Sequence, residues 1–226
     1  TAKNWDATLE YYFEPLGKIT AGWFYKTIRD YIVTGIDAGI VADEADNGYN
    51  GEYGGFQRLT SANAGTATVS GWEFSYGQQF TFLPGVWKGL GLAVNYTIID
   101  TVGDFGSRSG VKLRTGQVAG FIPKAANLQL SWAYRGFRTR VLTNFTGSHI
   151  LSYSAINPAT DIYVHERRTV DLGLAYQLRP AVTITLDVSN LFKEPQKQYL
   201  GIPDRNRVRY YNQNYTTVTA GVSGRF

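Results

Sequence analysis

Apolar and polar residues alternate with a period of two along most of this chain. Trp5, Ala7, Leu9, Tyr11 and Phe13 take turns with Asp6, Thr8, Glu10 and Tyr12, and Pro15-Leu16-Gly17 then turns the chain. Successive residues of a strand point to opposite sides, so such a run predicts a strand with one apolar and one polar face. The next strand runs from Lys18 to about Ile32, with Ile19, Ala21, Trp23 and Tyr25 on one face, and a polar, Gly-rich loop follows to about Thr66. A third strand, Thr68 to Phe82, sets Trp72, Phe74, Tyr76 and Phe80 against Glu73, Ser75, Gly77 and Gln79 and ends at Leu83-Pro84-Gly85. Leu90, Leu92, Val94, Tyr96 and Ile98 then alternate with Gly91, Ala93, Asn95, Thr97 and Ile99, before a polar loop to about Lys124.

The second half repeats the theme. Leu128, Leu130, Trp132 and Tyr134 alternate with Asn127, Gln129, Ser131 and Ala133, and Arg135-Gly136 turns into a strand carrying Phe137, Val141 and Phe145 against Arg138, Arg140 and Asn144. After a loop to about Arg168, Val170, Leu172, Leu174 and Tyr176 face away from Asp171, Gly173, Ala175 and Gln177, with the turn at Arg179-Pro180. Val182, Ile184, Leu186 and Val188 follow, then a loop from Leu191 to about Asn214 and a last strand. Its apolar face is Val218, Ala220, Val222, Gly224 and Phe226.

The pattern predicts roughly nine strands of about ten residues, the length a tilted strand needs to cross a bilayer. Short turns alternate with long loops throughout. A soluble sandwich has no reason to segregate its loops to one edge, whereas an outer-membrane barrel has short periplasmic turns and long extracellular loops. Aromatics near the predicted turns (Tyr11, Phe13, Phe80, Trp87, Trp132, Tyr134, Phe137, Tyr176, Phe226) suit an interfacial girdle. The expected fold is therefore all-β, an antiparallel transmembrane β-barrel. An odd strand count, and the lipid-exposed edges an open sheet would have, further predict that residues 1–226 are the C-terminal part of a larger barrel.

Composition narrows the function classes. Among 226 residues there are 16 Tyr, 12 Phe and 25 Gly but no Cys and no Met, so a disulfide scaffold is impossible. No apolar run of about 18 residues could span a bilayer as a helix. A net charge of +4 spread over alternating strands is no nucleic-acid surface. Neither a nucleophile elbow nor a phosphate-binding or dinucleotide loop occurs, so no enzyme, catalytic residue or cofactor is expected. His149 and His165 lack a nearby Cys or His in the sequence, and Asp43, Glu44 and Asp46 do not have EF-hand spacing, so no metal site is expected either.

The segments Asn4-Trp5-Asp6-Ala7-Thr8-Leu9-Glu10-Tyr11-Tyr12-Phe13-Glu14, Trp23-Phe24-Tyr25-Lys26, Ser70-Gly71-Trp72-Glu73-Phe74-Ser75-Tyr76 and Asp187-Val188-Ser189-Asn190-Leu191-Phe192, with the closing aromatic strand, resemble the C-terminal barrel half of TonB-dependent receptors. That resemblance implies a barrel of about 22 strands filled by an N-terminal plug. It implies import of a scarce ligand (siderophore, cobalamin or glycan) with energy delivered through the TonB complex. The plug and the TonB-binding stretch are not in this sequence. The final strand, Val218 to Phe226, looks like the signal read by the barrel-assembly machinery.

Two sets of residues become candidates. Glu10, Glu73, Arg138, Arg140, Asp171 and Asp187 fall on the polar face and would line a wet lumen against a plug; solvated wall residues with cross-strand partners are the plainer reading. In the loops, Tyr49, Tyr53, Phe56, Tyr153, Tyr163, Tyr199, Tyr210 and Tyr211 offer rings suited to stacking on a sugar or an aromatic chelator, against a plain packing role. Arg205, Arg207 and Arg209 form a basic cluster for an anionic ligand or for lipopolysaccharide phosphates at the lipid rim. A passive porin and a surface scaffold are the alternatives to an importer.

Overall fold

The computed structural model describes residues 1–104, 107–108, 111–112, 115–153, 158–201 and 207–224. Arg205 and Phe226 lie outside the described residues. The strands are β1 (Ala2–Phe13), β2 (Gly17–Ile40), β3 (Gln57–Gln79), β4 (Leu90–Asp104), β5 (Ser107–Arg108), β6 (Val111–Lys112), β7 (Thr115–Gly116), β8 (Lys124–Tyr134) and β9 (Phe137–Thr146) in the first part of the chain. They continue as β10 (His149–Ser152), β11 (Ile162–Val164), β12 (Arg167–Arg179), β13 (Val182–Ser189), β14 (Gln196–Leu200), β15 (Val208–Asn212) and β16 (Thr217–Gly224).

Nine of them form an antiparallel meander, β1-β2-β3-β4-β8-β9-β12-β13-β16, each wall strand beside the next one along the chain. The register carries the sequence alternation around the whole wall. One row reads Tyr11, Ile19, Tyr76, Val94, Leu128, Thr143 and Val170. The neighbouring row on the other face reads Glu10, Thr20, Ser75, Asn95, Asn127, Asn144 and Thr169. A slip of one residue at any pair would mix these two faces, so the alternation itself fixes the register. Leu9 and Val222 are each 74% exposed, so among the described residues no protein core covers the apolar face there and hydrocarbon is its natural solvent.

The turns keep the wall strands in step. Arg135 (φ 45°) and Gly136 (φ 86°) form a two-residue hairpin with both residues in the left-handed region, the backbone twist that tight antiparallel hairpins favour. Next to it, Phe137 and Tyr176 have ring centroids 4.3 Å apart, Tyr11 stacks on Phe13 at 6.0 Å, and Trp132 donates from Nε1 to the Val86 carbonyl at 2.9 Å. These rings lie at the turn end of the wall, where a girdle was expected.

The structure corrects the sequence reading in four places. Much of the predicted loop between Ile32 and Thr66 is paired strand, with β2 and β3 running together from Tyr31 opposite Ala64 out to Ile40 opposite Gln57. Register shifts between Val33 and Ile36 and between Asp37 and Ile40 destroy the two-residue period there, which is why the pattern faded. The third strand stops at Gln79, not Phe82, and the connection to β4 includes a 3-10 turn at Gly85–Gly89. Close approach shapes that turn, since a Cβ on Gly89 would sit 1.8 Å from the Ala133 carbonyl oxygen. Arg179 still pairs with Val182, so the β12–β13 turn is Pro180-Ala181. Finally, three predicted loops contain strands: β5, β6 and β7 lie in the connection between β4 and β8, while β10, β11, β14 and β15 join in a separate four-stranded sheet above the wall.

Candidate ligand-binding mouth

The register places all six predicted lumen residues on the polar face. Glu10 sits near the turn end, with Lys18 Nζ 3.1 Å from its Oε1 and the Tyr12 hydroxyl donating to its Oε2 at 2.7 Å. Glu73 lies across from Gly22 and Thr97 and is exposed. Arg140, Gly173 and Asp187 occupy one row. A Cβ on Gly173 would lie 3.2 Å from Asp187 Oδ1 and 3.7 Å from Arg140 Nε, so the acid and the base lean over the bare glycine toward one another. Arg138 follows in the next row, opposite Ala133 and Ala175. Asp171 has a structural partner: its Oδ1 accepts the Asn190 N–H at 2.8 Å.

The loop candidates fall into separate groups. Tyr49, Tyr53 and Phe56 meet at the tip of the β2–β3 hairpin, with ring centroids 6.0 and 6.1 Å apart in edge-to-face pairs. Asn47 builds that tip. Its Nδ2 donates to the Ala42 and Glu52 carbonyls, and its Oδ1 accepts the Tyr49 and Gly51 N–H groups. The exposed rings of Tyr53 and Phe56 (57% and 66%) are thereby held out from the wall. The hairpin beyond Arg29 opposite Thr66 is about 11 residues deep, which places the tip roughly 36 Å farther along the strand direction.

Tyr163, Tyr199, Tyr210 and Tyr211 belong to the upper sheet. Tyr163 faces Tyr199 in register, Tyr210 is paired with Gln198, and the His165 ring meets Tyr199 edge-on at 5.5 Å. Arg209 donates from Nη1 to Gln198 Oε1 at 2.8 Å. Arg207 instead clamps the loop, its Nη2 donating to the Ala159 carbonyl. The two described members of the basic cluster read from sequence, Arg207 and Arg209, thus have different jobs. Tyr153 lies below, its hydroxyl oxygen 3.2 Å from where a Cβ on Gly116 would be.

Connections also fold over the polar face. The Val118 N–H donates to the Thr101 hydroxyl at 3.0 Å, and Val118, Val69 and Ala67 are almost fully buried there. The Gly120 N–H donates to the Ile150 carbonyl at 2.8 Å, tying this segment to β10. Sequence reading missed the cleft formed between wall and upper sheet. Thr146 and Arg167, paired at the upper ends of β9 and β12, line a space of about 270 Å³ together with His149, His165, Gln196 and Gln198. The two histidines set aside as isolated in the sequence therefore share one cleft. No group of three metal-ligating side chains occurs among the described residues.

A two-faced antiparallel wall with short turns at one end and an elaborated mouth at the other defines this chain as part of a transmembrane β-barrel. Its sequence matches the family model of the TonB dependent receptor-like β-barrel over residues 1–191, and the chain belongs to that family. No curated protein matches the sequence. Among solved structures it is similar in fold to the ferric yersiniabactin uptake receptor FyuA from Yersinia pestis, at 18% identity and TM-score 0.66, covering 100% of this chain and 30% of that one. The siderophore receptor PiuA from Acinetobacter baumannii is similar at 15% identity and TM-score 0.66, covering 98% of this chain and 28% of that one. The FrpB iron transporter from Neisseria meningitidis matches at 14% identity and TM-score 0.63, with 100% and 31% covered. The chain thus spans under a third of the length of each of these proteins.

Proposed function

We propose that this chain is the C-terminal wall and mouth of an outer-membrane receptor that imports a scarce ligand of the siderophore, cobalamin or glycan class with energy coupled through TonB. The observation that carries the reading is the unbroken polar row from Glu10 to Thr169 behind an apolar lipid face, in a chain of the TonB-dependent receptor family. Such a row offers hydrogen-bonding groups to a plug domain. The apolar face meets outer-membrane lipid and lipopolysaccharide. Val218, Ala220, Val222 and Gly224 continue that face in β16, which suits recognition by the barrel-assembly machinery. No enzymatic step is involved, and the fold similarities are to receptors of iron chelates and an iron transporter.

The test uses the full-length receptor in cells. Radioiron as a panel of ferric siderophores, labelled cobalamin and labelled oligosaccharides would be offered to cells with and without TonB. One ligand should accumulate in the first and not in the second. Accumulation that persists without TonB would sink the energised reading. It would favour a passive porin, the second reading that the inward-folded segment at Val118 supports. A porin would also conduct ions steadily in a planar bilayer.

A further inference from the structure

The cleft between wall and upper sheet presents donors and no carboxylate among its lining residues. Arg167 carries a permanent charge, and its enclosed Nε has no hydrogen-bond partner among the described residues. Withdrawing a charged N–H from water without an acceptor is costly, so this guanidinium is set for an acceptor that the described residues do not provide. Gln198 has its amide oxygen engaged by Arg209, which leaves its NH₂ group as a donor and brings a second guanidinium to the rim. His149 Nδ1 lies 3.0 Å from the Gly147 carbonyl, an arrangement that spends Nδ1–H on the backbone and leaves Nε2 of the neutral ring an acceptor, so the donors of the cleft are Arg167 and the Gln198 amide rather than His149. Lys197 adds positive potential, although its Nζ already rests 5.7 Å from the centre of the Tyr211 ring.

We propose that this cleft is an oxyanion subsite that takes one carboxylate or phosphate arm of the imported ligand, with Arg167 as the principal donor. The inference rests on the import reading and narrows it to anionic ligands. A planar guanidinium matches the two oxygens of such a group. A space of about 270 Å³ falls below the roughly 300–1,000 Å³ of sites that hold a whole drug-sized ligand, so it fits one arm of a larger molecule. Lipopolysaccharide phosphates are the other source of this chemistry. Thr146 and Arg167 belong to the polar face, turned away from the lipid, which favours the small ligand.

Full-length receptor in detergent would be titrated calorimetrically with citrate, inorganic phosphate and, as a neutral control, glucose. Citrate or phosphate should bind saturably and glucose should not. Arg167→Gln should weaken that binding about tenfold or more, with Arg167→Lys falling between because it keeps the charge but not the fork. Heat-modifiable migration of each variant in gels would show that its barrel is folded. Should Gln198→Leu be better behaved than the Arg167 variants, it should also weaken binding. Equal affinity in wild type and folded variants, or no anion binding at all, would overturn the subsite. Displacement of citrate by lipopolysaccharide would assign the cleft to lipid and overturn it too. Anion binding can fail while TonB-dependent uptake persists, and uptake can prove independent of TonB while Arg167 still governs citrate binding, so the two readings fail separately.

Discussion

Asn190 closes the last long connection with a single side chain. It ends the β13 strand in the left-handed region (φ 52°), is only 8% exposed, and directs its Nδ2 to the Glu194 and Asn214 carbonyls while its Oδ1 accepts the Glu194 N–H. Its own N–H goes to Asp171 and its carbonyl accepts the Thr216 hydroxyl, so β12, β13 and the entry to β16 are joined at one residue. Asparagine tolerates this backbone conformation better than most residues, and its amide can both donate and accept. Asn190→Ala removes the side-chain bonds at a nearly buried position and leaves a β-carbon in an unfavourable conformation. The expected loss is roughly 2–4 kcal/mol in urea unfolding of the vesicle-reconstituted receptor. Asn190→Gly, which relieves the backbone but not the bonds, should recover about 1 kcal/mol of it. An alanine variant as stable as wild type would show that the connection is held elsewhere. The Asn190-Leu191-Phe192 run was legible as a motif, but its job was not, because the partner Asn214 lies 24 positions away and nothing local links the two.

At the scale of elements, legibility followed the solvent. The wall strands could be read because each separates hydrocarbon from water, and that difference is written as a two-residue period in pairs such as Leu130 beside Gln129. The upper sheet could not. Its strands are three to five residues long, water or loop borders both faces, and its neighbours come from two different connections: β11 from the β9–β12 segment sits between β10 and β14. Candidate residues in these loops could be named by type, as Tyr199 was, and the one grouping drawn from chain proximity failed, since Arg207 and Arg209 have different partners. For the same reason the cleft at Arg167 was invisible: its walls are assembled by the long-range pairing of Tyr163 with Tyr199. The pairing makes Tyr163 a sensitive point, since it is register-matched to Ile150 on one side and Tyr199 on the other. Tyr163→Pro removes an N–H and imposes a backbone angle unsuited to an inner strand. Limited proteolysis of the full-length receptor should then cut within the β9–β12 and β13–β16 connections at protease concentrations that leave wild type intact. The wall should keep its heat-modifiable migration. Loss of that migration would mean that the upper sheet is needed to build the wall.

For the whole molecule the decisive feature is the sheet's two ends. Among the described residues β1 is paired with β2 alone and β16 with β13 alone. Backbone groups without partners cost several kcal/mol each in hydrocarbon, so a wall in this state does not stand by itself in a bilayer. The two ends could in principle join one another. Nine strands in an antiparallel meander, however, leave the first and last running in the same direction, so closure would require a parallel pair inside an otherwise antiparallel wall. That odd count is why we propose that residues 1–226 are the C-terminal portion of a longer barrel whose other strands occupy both edges. Residues 1–226 refolded alone into lipid vesicles should therefore give no heat-modifiable, protease-protected monomer. Co-refolding with the preceding strands of the full-length receptor should restore one. If the isolated chain instead migrated as a folded monomer, β1 and β16 would have to pair directly, and the proposed larger barrel would be wrong.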